Sequence, residues 1–240
     1  MVRLTIDNQI VEAEEGSTIF DATSKIGIYI PALCYHESLS PGGSCRLCVV
    51  EIIANGTSDL MAACTYPAEE GLEVRTNSEK VVKARRLAME LLLAQRPHSA
   101  RLQELARELG IDKTSFTMKE QECILCGLCV RTCREIVGVD AINFIAQGIG
   151  RDNEEPSIEV SLVKCIGCDS CAYICPTDAI AVEDVGDTRI LTTPSGKLEF
   201  KLKRCNTCGK YWAPEKQLDY IIEKVDLASD AFDNCPDCRD

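Results

Sequence analysis

The 16 cysteines of this 240-residue chain, and above all their grouping, constrain its structure more than any other feature. They fall into four separated groups of four, and each group contains at least one Cys-x-x-Cys pair. In chain order the groups are Cys34, Cys45, Cys48 and Cys64; Cys123, Cys126, Cys129 and Cys133; Cys165, Cys168, Cys171 and Cys175; and Cys205, Cys208, Cys235 and Cys238. A Cys-x-x-Cys pair lets two thiolates reach one metal from a single turn. The pattern therefore predicts a metal centre for each group.

Disulfide bonds are the other explanation for so many cysteines, and the rest of the sequence disfavours them. Disulfide-rich domains are normally short, secreted and preceded by an export signal. Here the first residues, MVRLTIDNQIVEAEE, alternate in polarity and turn acidic, unlike a signal peptide. No apolar run approaches the roughly 18 residues that suggest a membrane-spanning helix. We expect a soluble, cytoplasmic protein without membrane insertion.

The composition also excludes several classes of function. Lys and Arg number 26 against 38 Asp and Glu, which gives a formal charge of -12. Nucleic acids and anionic membranes bind basic faces, so we expect neither as a partner. The sequence contains no Gly-x-Gly-x-x-Gly or Walker loop, and we expect no flavin or nucleotide on this chain. Two histidines leave little machinery for acid–base catalysis.

Residues 1–77 are predicted to form a small mixed domain. Its strands are expected at residues 2–6, 10–11, 49–53 and 72–74. Asp7-Asn8 supplies a hairpin turn, and Ser17 is placed to cap a helix that stops at Gly27. A hairpin, a helix and returning strands indicate a β-grasp fold.

Residues 78–116 are predicted to form a helical linker. One helix ends before Pro97, and Ser99 is placed to cap a second helix that stops at Gly110. The packing stripe expected on the first helix comprises Val81, Val82, Ala84, Leu87, Ala88, Leu91 and Leu92. A basic run on the same helix comprises Lys80, Lys83, Arg85 and Arg86. We expect it to face solvent, and a docking patch for an acidic partner subunit is the alternative. We interpret the segment as a packed helical hairpin between two domains.

Residues 117–190 contain an internal repeat. The segment 121–129 (QECILCGLC) recurs as 163–171 (VKCIGCDSC). Each copy adds a fourth cysteine four positions later and an Ala-Ile pair beyond it. A duplicated motif implies pseudo-twofold packing of its halves. With a small module at residues 191–240, the chain is expected to be an α+β multidomain protein.

The first cysteine group lies mainly on a loop with the sequence PGGS at residues 41–44. Thiolates without histidine favour an iron–sulfur cluster or zinc, and glycines let backbone N–H groups approach sulfur. The segment IPALCYHESLSPGGSCRLCVVEI (residues 30–52) resembles the [2Fe–2S] module of the large iron–sulfur subunit of respiratory NADH dehydrogenase and of the diaphorase subunits of NAD-linked hydrogenases. The resemblance implies one [2Fe–2S] cluster on Cys34, Cys45, Cys48 and Cys64. A structural zinc site is the alternative.

The second and third groups have the Cys-x2-Cys-x2-Cys-x3-Cys spacing of bacterial two-[4Fe–4S] ferredoxins. In that pattern the fourth cysteine of each run ligates the other cluster. The predicted ligands are Cys123, Cys126, Cys129 and Cys175 for the first [4Fe–4S] cluster, and Cys165, Cys168, Cys171 and Cys133 for the second. Two zinc knuckles are the alternative.

The fourth group consists of two Cys-x-x-Cys knuckles around a long insertion, as in a zinc ribbon. We predict that Cys205, Cys208, Cys235 and Cys238 form a zinc-ribbon-like metal module. A further iron–sulfur cluster is the alternative, since thiolates alone do not discriminate. A short amphipathic helix is expected in the insertion from Leu218, Ile221, Ile222 and Val225.

The linker departs from the resembling subunits at one point. His98 stands where those subunits place the histidine of a cluster held by one histidine and three cysteines. In them three cysteines precede a Leu-Gln-x-Leu-Ala stretch, whereas here residues 102–106 follow almost at once without a cysteine. We interpret 78–116 as a degenerate form of that region and His98 as a surface residue.

The resemblance covers roughly residues 1–185 and implies a function. It implies an electron-transfer iron–sulfur subunit of a cytoplasmic, flavin-dependent NAD(P)H-linked oxidoreductase complex, a class that includes electron-bifurcating enzymes. The implied partners are a flavoprotein NADH-oxidising subunit, further iron–sulfur subunits and soluble ferredoxin. The chain would then have no substrate site of its own. A free-standing, polyferredoxin-like soluble carrier is the alternative, because small carriers often dock through acidic faces.

Overall fold

The computed structural model describes residues 1–54, 56–145 and 156–239. The chain divides into two compact units, Met1–Leu128 and Cys129–Asp240. The division falls inside the second cysteine group, whereas the domain edges expected from the sequence lie at residues 77, 116 and 190.

The first unit opens with a five-stranded sheet and one short helix. Its elements are β1 (Val2–Ile6), β2 (Gln9–Ala13), α1 (Ile19–Lys25), β3 (Val49–Ala54), β4 (Thr57–Ala62) and β5 (Glu73–Arg75). The strand order is β2-β1-β5-β3-β4, with β1 and β5 parallel and the other pairs antiparallel. Asp7 and Asn8 turn the first hairpin with φ of 45° and 67°, as a type I′ turn requires. This is the strand order of the β-grasp fold predicted from the sequence.

The core of this domain extends into the cysteine loop. Leu4 and Ile6 of β1 are buried against Ile19 of α1. Cys48 and Cys64 belong to the same apolar cluster. The first cysteine group is therefore anchored in the folded core rather than displayed on an independent loop.

The cap of α1 is Thr18 and not Ser17, so the predicted cap was wrong by one residue. Thr18 Oγ1 accepts a hydrogen bond from the Asp21 backbone N–H at 3.2 Å, and the Asp21 carboxylate accepts the Thr18 N–H at 2.9 Å. This reciprocal pair is a capping box. The Ser17 hydroxyl donates instead to the carbonyl of Glu14 at 2.7 Å. Only the acidic residue three positions after Thr18 distinguishes the two candidates in the sequence.

Two helices follow, α2 (Glu79–Gln95) and α3 (Ala100–Glu108), as the linker prediction required. Ser78 caps α2 and Ser99 caps α3, each by accepting a backbone N–H of the first turn. Gly110 lies just past α3 with φ of 68°, which the absence of a side chain permits.

The buried face of α2 differs from the predicted stripe. Val81 is buried, but Val82, Leu87 and Leu91 are 48%, 51% and 38% exposed. Arg85, predicted to face solvent, is only 8% exposed. Apolar residues occur on more than one side of α2, so their spacing does not reveal which side meets the sheet. The predicted face was therefore wrong in part.

The elements from Leu128 onward form two antiparallel sheets and short helices. In chain order they are α4 (Leu128–Arg131), β6 (Ile142–Ile145), β7 (Ser157–Val160), α5 (Ser170–Tyr173), β8 (Ala181–Val185), β9 (Thr188–Thr193), β10 (Gly196–Arg204), β11 (Tyr211–Pro214) and α6 (Glu215–Val225). A π-helical turn occupies Thr132–Val137, and a 3₁₀ turn occupies Pro236–Cys238. Strand β6 pairs with β7, and the second sheet has the order β11-β10-β9-β8.

The second sheet joins the third cysteine group to the C-terminal module. Strand β8 follows the third group, and β9 pairs with both β8 and β10. The edge expected at residue 190 lies inside β9. Helix α6 confirms the short helix predicted in the insertion, and Leu218 is its buried residue. Among the described residues, no helix has the length and apolar character needed to cross a membrane.

Candidate metal centres

The structure brings the first cysteine group together, with all four residues buried. The Sγ atoms of Cys34 and Cys45 lie 3.4 Å apart, and those of Cys48 and Cys64 also lie 3.4 Å apart. A disulfide requires about 2.05 Å. Two thiolates on one tetrahedral metal with bonds of about 2.3 Å lie about 3.8 Å apart. The separations are therefore close to those of ligand pairs that share a metal.

Backbone N–H groups surround these sulfurs. The Cys45 N–H donates to Cys34 Sγ at 3.4 Å, and the Leu33 N–H donates to Cys45 Sγ at 3.5 Å. The hydrogen bond with Cys48 lowers the pKa of Cys64 most, and the N–H of Gly43, which has φ of 62°, lowers it further. Such dipoles stabilise negative charge on sulfur. This is the role expected for the glycine loop.

Each sulfur pair shares one proton before metal binds. The hydrogen bond between Cys34 and Cys45 lowers the pKa of Cys45 to about 6 and raises that of Cys34. The bond between Cys48 and Cys64 likewise lowers the pKa of Cys64 and raises that of Cys48. In each pair one thiol therefore loses its proton more easily than the other, and metal binding would release the remaining proton.

A second set of cysteines lines one cavity in the second unit. The four are Cys133, Cys165, Cys168 and Cys171. The apolar part of the wall comprises Val137, Val139, Ile142, Ile166 and Leu191. Burial first, and then neighbouring thiolates, raises the pKa of Cys171 to about 12. Four thiolates confined in this wall repel one another, and a cationic metal core would remove that penalty.

The internal repeat extends to the backbone conformation of the two loops. Leu125 and Gly167 occupy equivalent positions and both have positive φ, 54° and 74°. The Leu125 N–H donates to Cys123 Sγ at 3.3 Å, and the Gly167 N–H acts in the same way on Cys165. The positive φ therefore directs the same N–H to the first sulfur in both copies.

The Ala-Ile pairs of the repeat also have a physical role. The Ala141 N–H donates to Cys133 Sγ at 3.2 Å, and the Ala179 N–H donates to Cys175 Sγ at 3.3 Å. In each copy the first residue of the pair thus supplies a donor to the fourth cysteine of its own run. The sequence revealed the repeated pair but not this contact.

The remaining predicted set is distributed over both units. Cys123 and Cys126 lie in the first unit, and Cys129 and Cys175 lie in the second. Cys126 and Cys129 are buried, and Cys123 and Cys175 are partly exposed. Their common role as ligands stays a prediction.

The C-terminal cysteines form the most compact group. The Sγ atoms of Cys205, Cys208, Cys235 and Cys238 all lie within 4.8 Å of one another. Cys208 Sγ and Cys235 Sγ are 3.8 Å apart, which equals the separation expected on a single tetrahedral ion. The N–H groups of Cys208 and Cys235 donate to Cys205 Sγ at 3.5 and 3.3 Å. These two donors lower the pKa of Cys205 to about 6.

The C-terminal sheet packs directly on the third cysteine group. A Cβ placed on Gly167 would lie 2.8 Å from Phe200 Cγ and 3.1 Å from Pro214 Cγ. Phe200 lies on β10 and is 5% exposed, and Pro214 ends β11. Only glycine leaves room for this approach at a positive φ.

Arg189 on β9 ties the same loop to the sheet. Its Nη1 donates to the Gly167 carbonyl at 3.2 Å and to Asp169 Oδ2 at 3.4 Å. Its Nε and Nη2 bind the Asp184 carboxylate at 2.8 and 2.9 Å. The bond to Asp184, which outweighs burial, raises the pKa of Arg189. The guanidinium thereby bridges two strands and the loop between the cysteines.

Lys216 on α6 makes a second link. Its Nζ donates to the carbonyls of Leu162 and Val163, both at 2.7 Å, just before Cys165. Sequence reasoning missed Arg189 and Lys216 as residues of this site. Their partners lie far away in sequence, and no local motif marks such contacts.

His98 is confirmed as a surface residue. Its side chain is 81% exposed, and its Nε2 lies 4.0 Å from Glu120 Oε2. The interpretation of residues 78–116 as a degenerate cluster region that serves as a linker stays a prediction.

The fold and these centres define an iron–sulfur protein of the ferredoxin class. Residues 1–79 match the family described as a 2Fe-2S iron-sulfur cluster binding domain. Residues 164–210 match the family described as a 4Fe-4S dicluster domain. The second match contains the third cysteine group together with Cys205 and Cys208.

Three curated proteins are similar to this chain over 75% of its length. The G 2 subunit of NADH-quinone oxidoreductase from Rhizobium meliloti (strain 1021) is 33% identical, with 24% of its own length covered. The alpha subunit of NADPH-Fe(3+) oxidoreductase from Geobacter sulfurreducens is 32% identical, with 24% covered. The HndD subunit of NADP-reducing hydrogenase from Solidesulfovibrio fructosivorans is 32% identical, with 36% covered. The chain thus spans a quarter to about a third of the length of these relatives.

A solved structure is similar over most of its own chain. The crystal structure of NAD+-reducing [NiFe]-hydrogenase in the H2-reduced state superposes with a TM-score of 0.55 and 34% identity. The match covers 61% of this chain and 71% of the hydrogenase chain. The protein therefore belongs to the family of iron–sulfur subunits found in NAD(P)-linked oxidoreductases and hydrogenases. The family resemblance noted in the cysteine loop is confirmed.

We expect Gly167→Ala to impair the centre at Cys165, Cys168 and Cys171. The added Cβ collides with Phe200 and Pro214 at a residue with φ of 74°. The cost is about 1–2 kcal/mol for a side chain in the left-handed backbone conformation and about 1–3 kcal/mol for overpacking. Iron content and EPR of the reduced protein would measure the loss.

Leu125→Ala is the matched control, because Leu125 already has a side chain in the equivalent left-handed turn. It should retain its iron. Equal losses in the two variants would contradict a specific role for the packing of Gly167 against Phe200.

Proposed function

We propose that this chain is an electron-transfer subunit of a cytoplasmic NAD(P)H-linked oxidoreductase complex. It would relay electrons between a flavoprotein subunit that oxidises NADH and ferredoxin or another catalytic subunit. The observation that carries the proposal is that cysteine sulfurs accept backbone N–H groups within the two segments that match 2Fe-2S and 4Fe-4S families, as Cys34 does in the first and Cys175 does in the second. The relatives named above are subunits of NADH, NADPH and hydrogenase enzymes, which supports the same kind of complex.

The first cysteine group fits one [2Fe–2S] cluster. Cys34 and Cys45 would bind one iron and Cys48 and Cys64 the other, because each pair has sulfurs 3.4 Å apart. When bound, such a cluster supplies one-electron transfer. The chain holds the four ligands in its buried core, directs N–H groups at their sulfurs and excludes water.

The second and third groups fit two [4Fe–4S] clusters with exchanged fourth ligands. The cavity shared by Cys133, Cys165, Cys168 and Cys171 supports the assignment of Cys133 to the cluster of the other run. By the symmetry of the repeat, Cys123, Cys126, Cys129 and Cys175 would hold the remaining cluster. The equivalent N–H donors at Leu125 and Gly167 support that symmetry.

Replacing Cys133 with serine tests the exchange. We expect Cys133→Ser to damage the cluster held by Cys165, Cys168 and Cys171, because a hydroxyl is a poorer ligand than a thiolate. The signal from the cluster of Cys123, Cys126 and Cys129 should persist in EPR of the reduced protein. Cys175→Ser is the matched control and should have the reverse effect. The assignment would be contradicted if Cys133→Ser damaged the cluster of Cys123, Cys126 and Cys129, and Cys175→Ser damaged that of Cys165, Cys168 and Cys171.

The C-terminal group fits a single structural zinc ion in a zinc-ribbon-like module. Its Sγ atoms lie within 4.8 Å of one another, whereas a four-iron core would hold its ligands farther apart because the core lies between them. The module would stabilise the loop of the third group, since Phe200 and Lys216 contact that loop.

Removal of the C-terminal metal tests this role. We expect purified protein to contain about one zinc per chain and Cys208→Ser with Cys238→Ser to lose it. The same variant should also show a lower melting temperature and a more labile cluster at Cys165 to Cys171. Iron in place of zinc, with unchanged lability of that cluster, would contradict the proposal.

The function itself is tested by reduction with NADH. The chain, isolated without oxygen from its native source, should co-purify with a flavin-containing subunit. Addition of NADH to that complex should bleach the visible absorbance and produce EPR signals of reduced clusters, whereas the separated chain should stay oxidised. A lone monomer that never associates with flavin would instead favour the free-standing, polyferredoxin-like carrier. Addition of ferredoxin to the reduced complex would test it as acceptor, and simultaneous reduction of a second acceptor would test bifurcation.

A further inference from the structure

A buried cation lies next to the first cysteine group. Arg85 is 8% exposed on the inner side of α2, although Lys83 and Arg86 on the same helix are exposed. Its Nε and Nη2 both donate to the carbonyl oxygen of Val49, at 3.1 and 2.8 Å. Val49 directly follows Cys48 in the chain. The guanidinium is thus fixed at the point where the cysteine loop enters β3.

Within the described residues Arg85 forms no ion pair with a carboxylate, although the charge of Asp7 acts on it from a greater distance. Lys83 pairs with Glu79, and Arg86 pairs with Glu90, at the surface of α2. The hydrogen bonds of Arg85 go to a neutral carbonyl instead. A buried charge without a counter-charge is costly, so an unpaired guanidinium in a core requires an explanation.

The Cys48 sulfur supplies part of the explanation. Burial lowers the pKa of Arg85, and the charge of Cys48, ahead of that of Asp7, acts in the opposite direction. The guanidinium therefore lies within electrostatic range of a ligand of the first group. Arginine keeps its proton throughout the physiological range, so this field is permanent.

We propose that Arg85 is the counter-charge of the [2Fe–2S] cluster and raises its reduction potential. The inference rests on the proposed function, because it requires the cluster at Cys34, Cys45, Cys48 and Cys64. Four thiolates and an oxidised core leave about -2 on the centre. Reduction adds one electron from the flavoprotein and makes the centre more negative, while no bond forms or breaks. A fixed cation in a buried site stabilises the reduced state more than the oxidised state.

Arg85 is a positioning residue in this proposal. The experiment must therefore distinguish the effect of its charge on the reduction potential from the effect of its hydrogen bonds to Val49. Arg85→Gln keeps an N–H donor for the Val49 carbonyl and removes the charge. Arg85→Lys keeps the charge and replaces the two donors by an ammonium. Arg85→Met removes both and leaves no unpaired donor, which makes it a second neutral variant that a core tolerates. Lys83→Gln removes an exposed charge from the same helix and is the control.

The experiment is a potentiometric titration of the full chain, followed by the EPR signal of the reduced [2Fe–2S] cluster. At a fixed potential we expect Arg85→Gln and Arg85→Met to lower the ratio of reduced to oxidised cluster about tenfold. For a one-electron couple this equals a shift of about 59 mV to more negative potential. Arg85→Lys and Lys83→Gln should change the ratio less than about threefold.

Three outcomes would overturn the proposal. The first is an unchanged ratio in either neutral variant with an intact signal. The second is an equal shift in the lysine and glutamine variants, which would assign the effect to the bonds with Val49. The third is a tenfold fall in the ratio of reduced to oxidised cluster for Arg85→Lys, because this variant keeps the charge. This third outcome can be measured even if the neutral variants fail to assemble a cluster. A wild-type chain without any [2Fe–2S] signal would instead refute the proposed cluster, which is a separate result.

Discussion

Everything in this structure depends on holding negatively charged sulfurs close together away from water. Thiolates repel one another, and burial strengthens the repulsion because the surroundings screen it poorly. The chain responds with backbone dipoles: N–H groups of Cys45, Leu125, Ala141, Ala179 and Cys235 all donate to cysteine sulfurs. Because these donors belong to the main chain, their direction depends on the backbone angles of the loops. Leu125 has a positive φ, and so do Asp140 and Asp178, which directly precede two of the donors.

The two copies of the repeat solve this problem with different side chains. The first copy tolerates Leu125 in the left-handed conformation, whereas the second requires Gly167 because Phe200 and Pro214 press on it. The second copy is additionally held by Arg189 on β9, which binds both the loop carbonyl of Gly167 and the carboxylate of Asp184 on β8. The two cysteine runs therefore have the same ligand spacing, but different side chains hold their loops in place.

The sequence was sufficient to predict those features that depend on the spacing of residues along the chain. Cysteine intervals identified the groups, and the hairpin at Asp7, the helix and the returning strands were enough to predict the β-grasp fold, but not its edge strand β4. Prediction failed where burial or packing depends on contacts between residues that are far apart in the sequence. The buried side of α2, the burial of Arg85 and the contact of Phe200 with Gly167 are all of this kind. The cap at Thr18 rather than Ser17 shows a smaller failure, decided by one local hydrogen bond.

The sheet β8–β11 has a consequence for the order of events during synthesis. The loop from Cys165 to Cys171 leaves the ribosome before Phe200 and Pro214, the side chains that pack against it. Until β10 and β11 have formed, these two side chains cannot restrict the loop around Gly167. We therefore expect stable cluster insertion at this centre to follow the synthesis of β10 and β11. A nascent chain or a fragment that stops within β9 would have all four cysteines of this centre and no durable place for its cofactor.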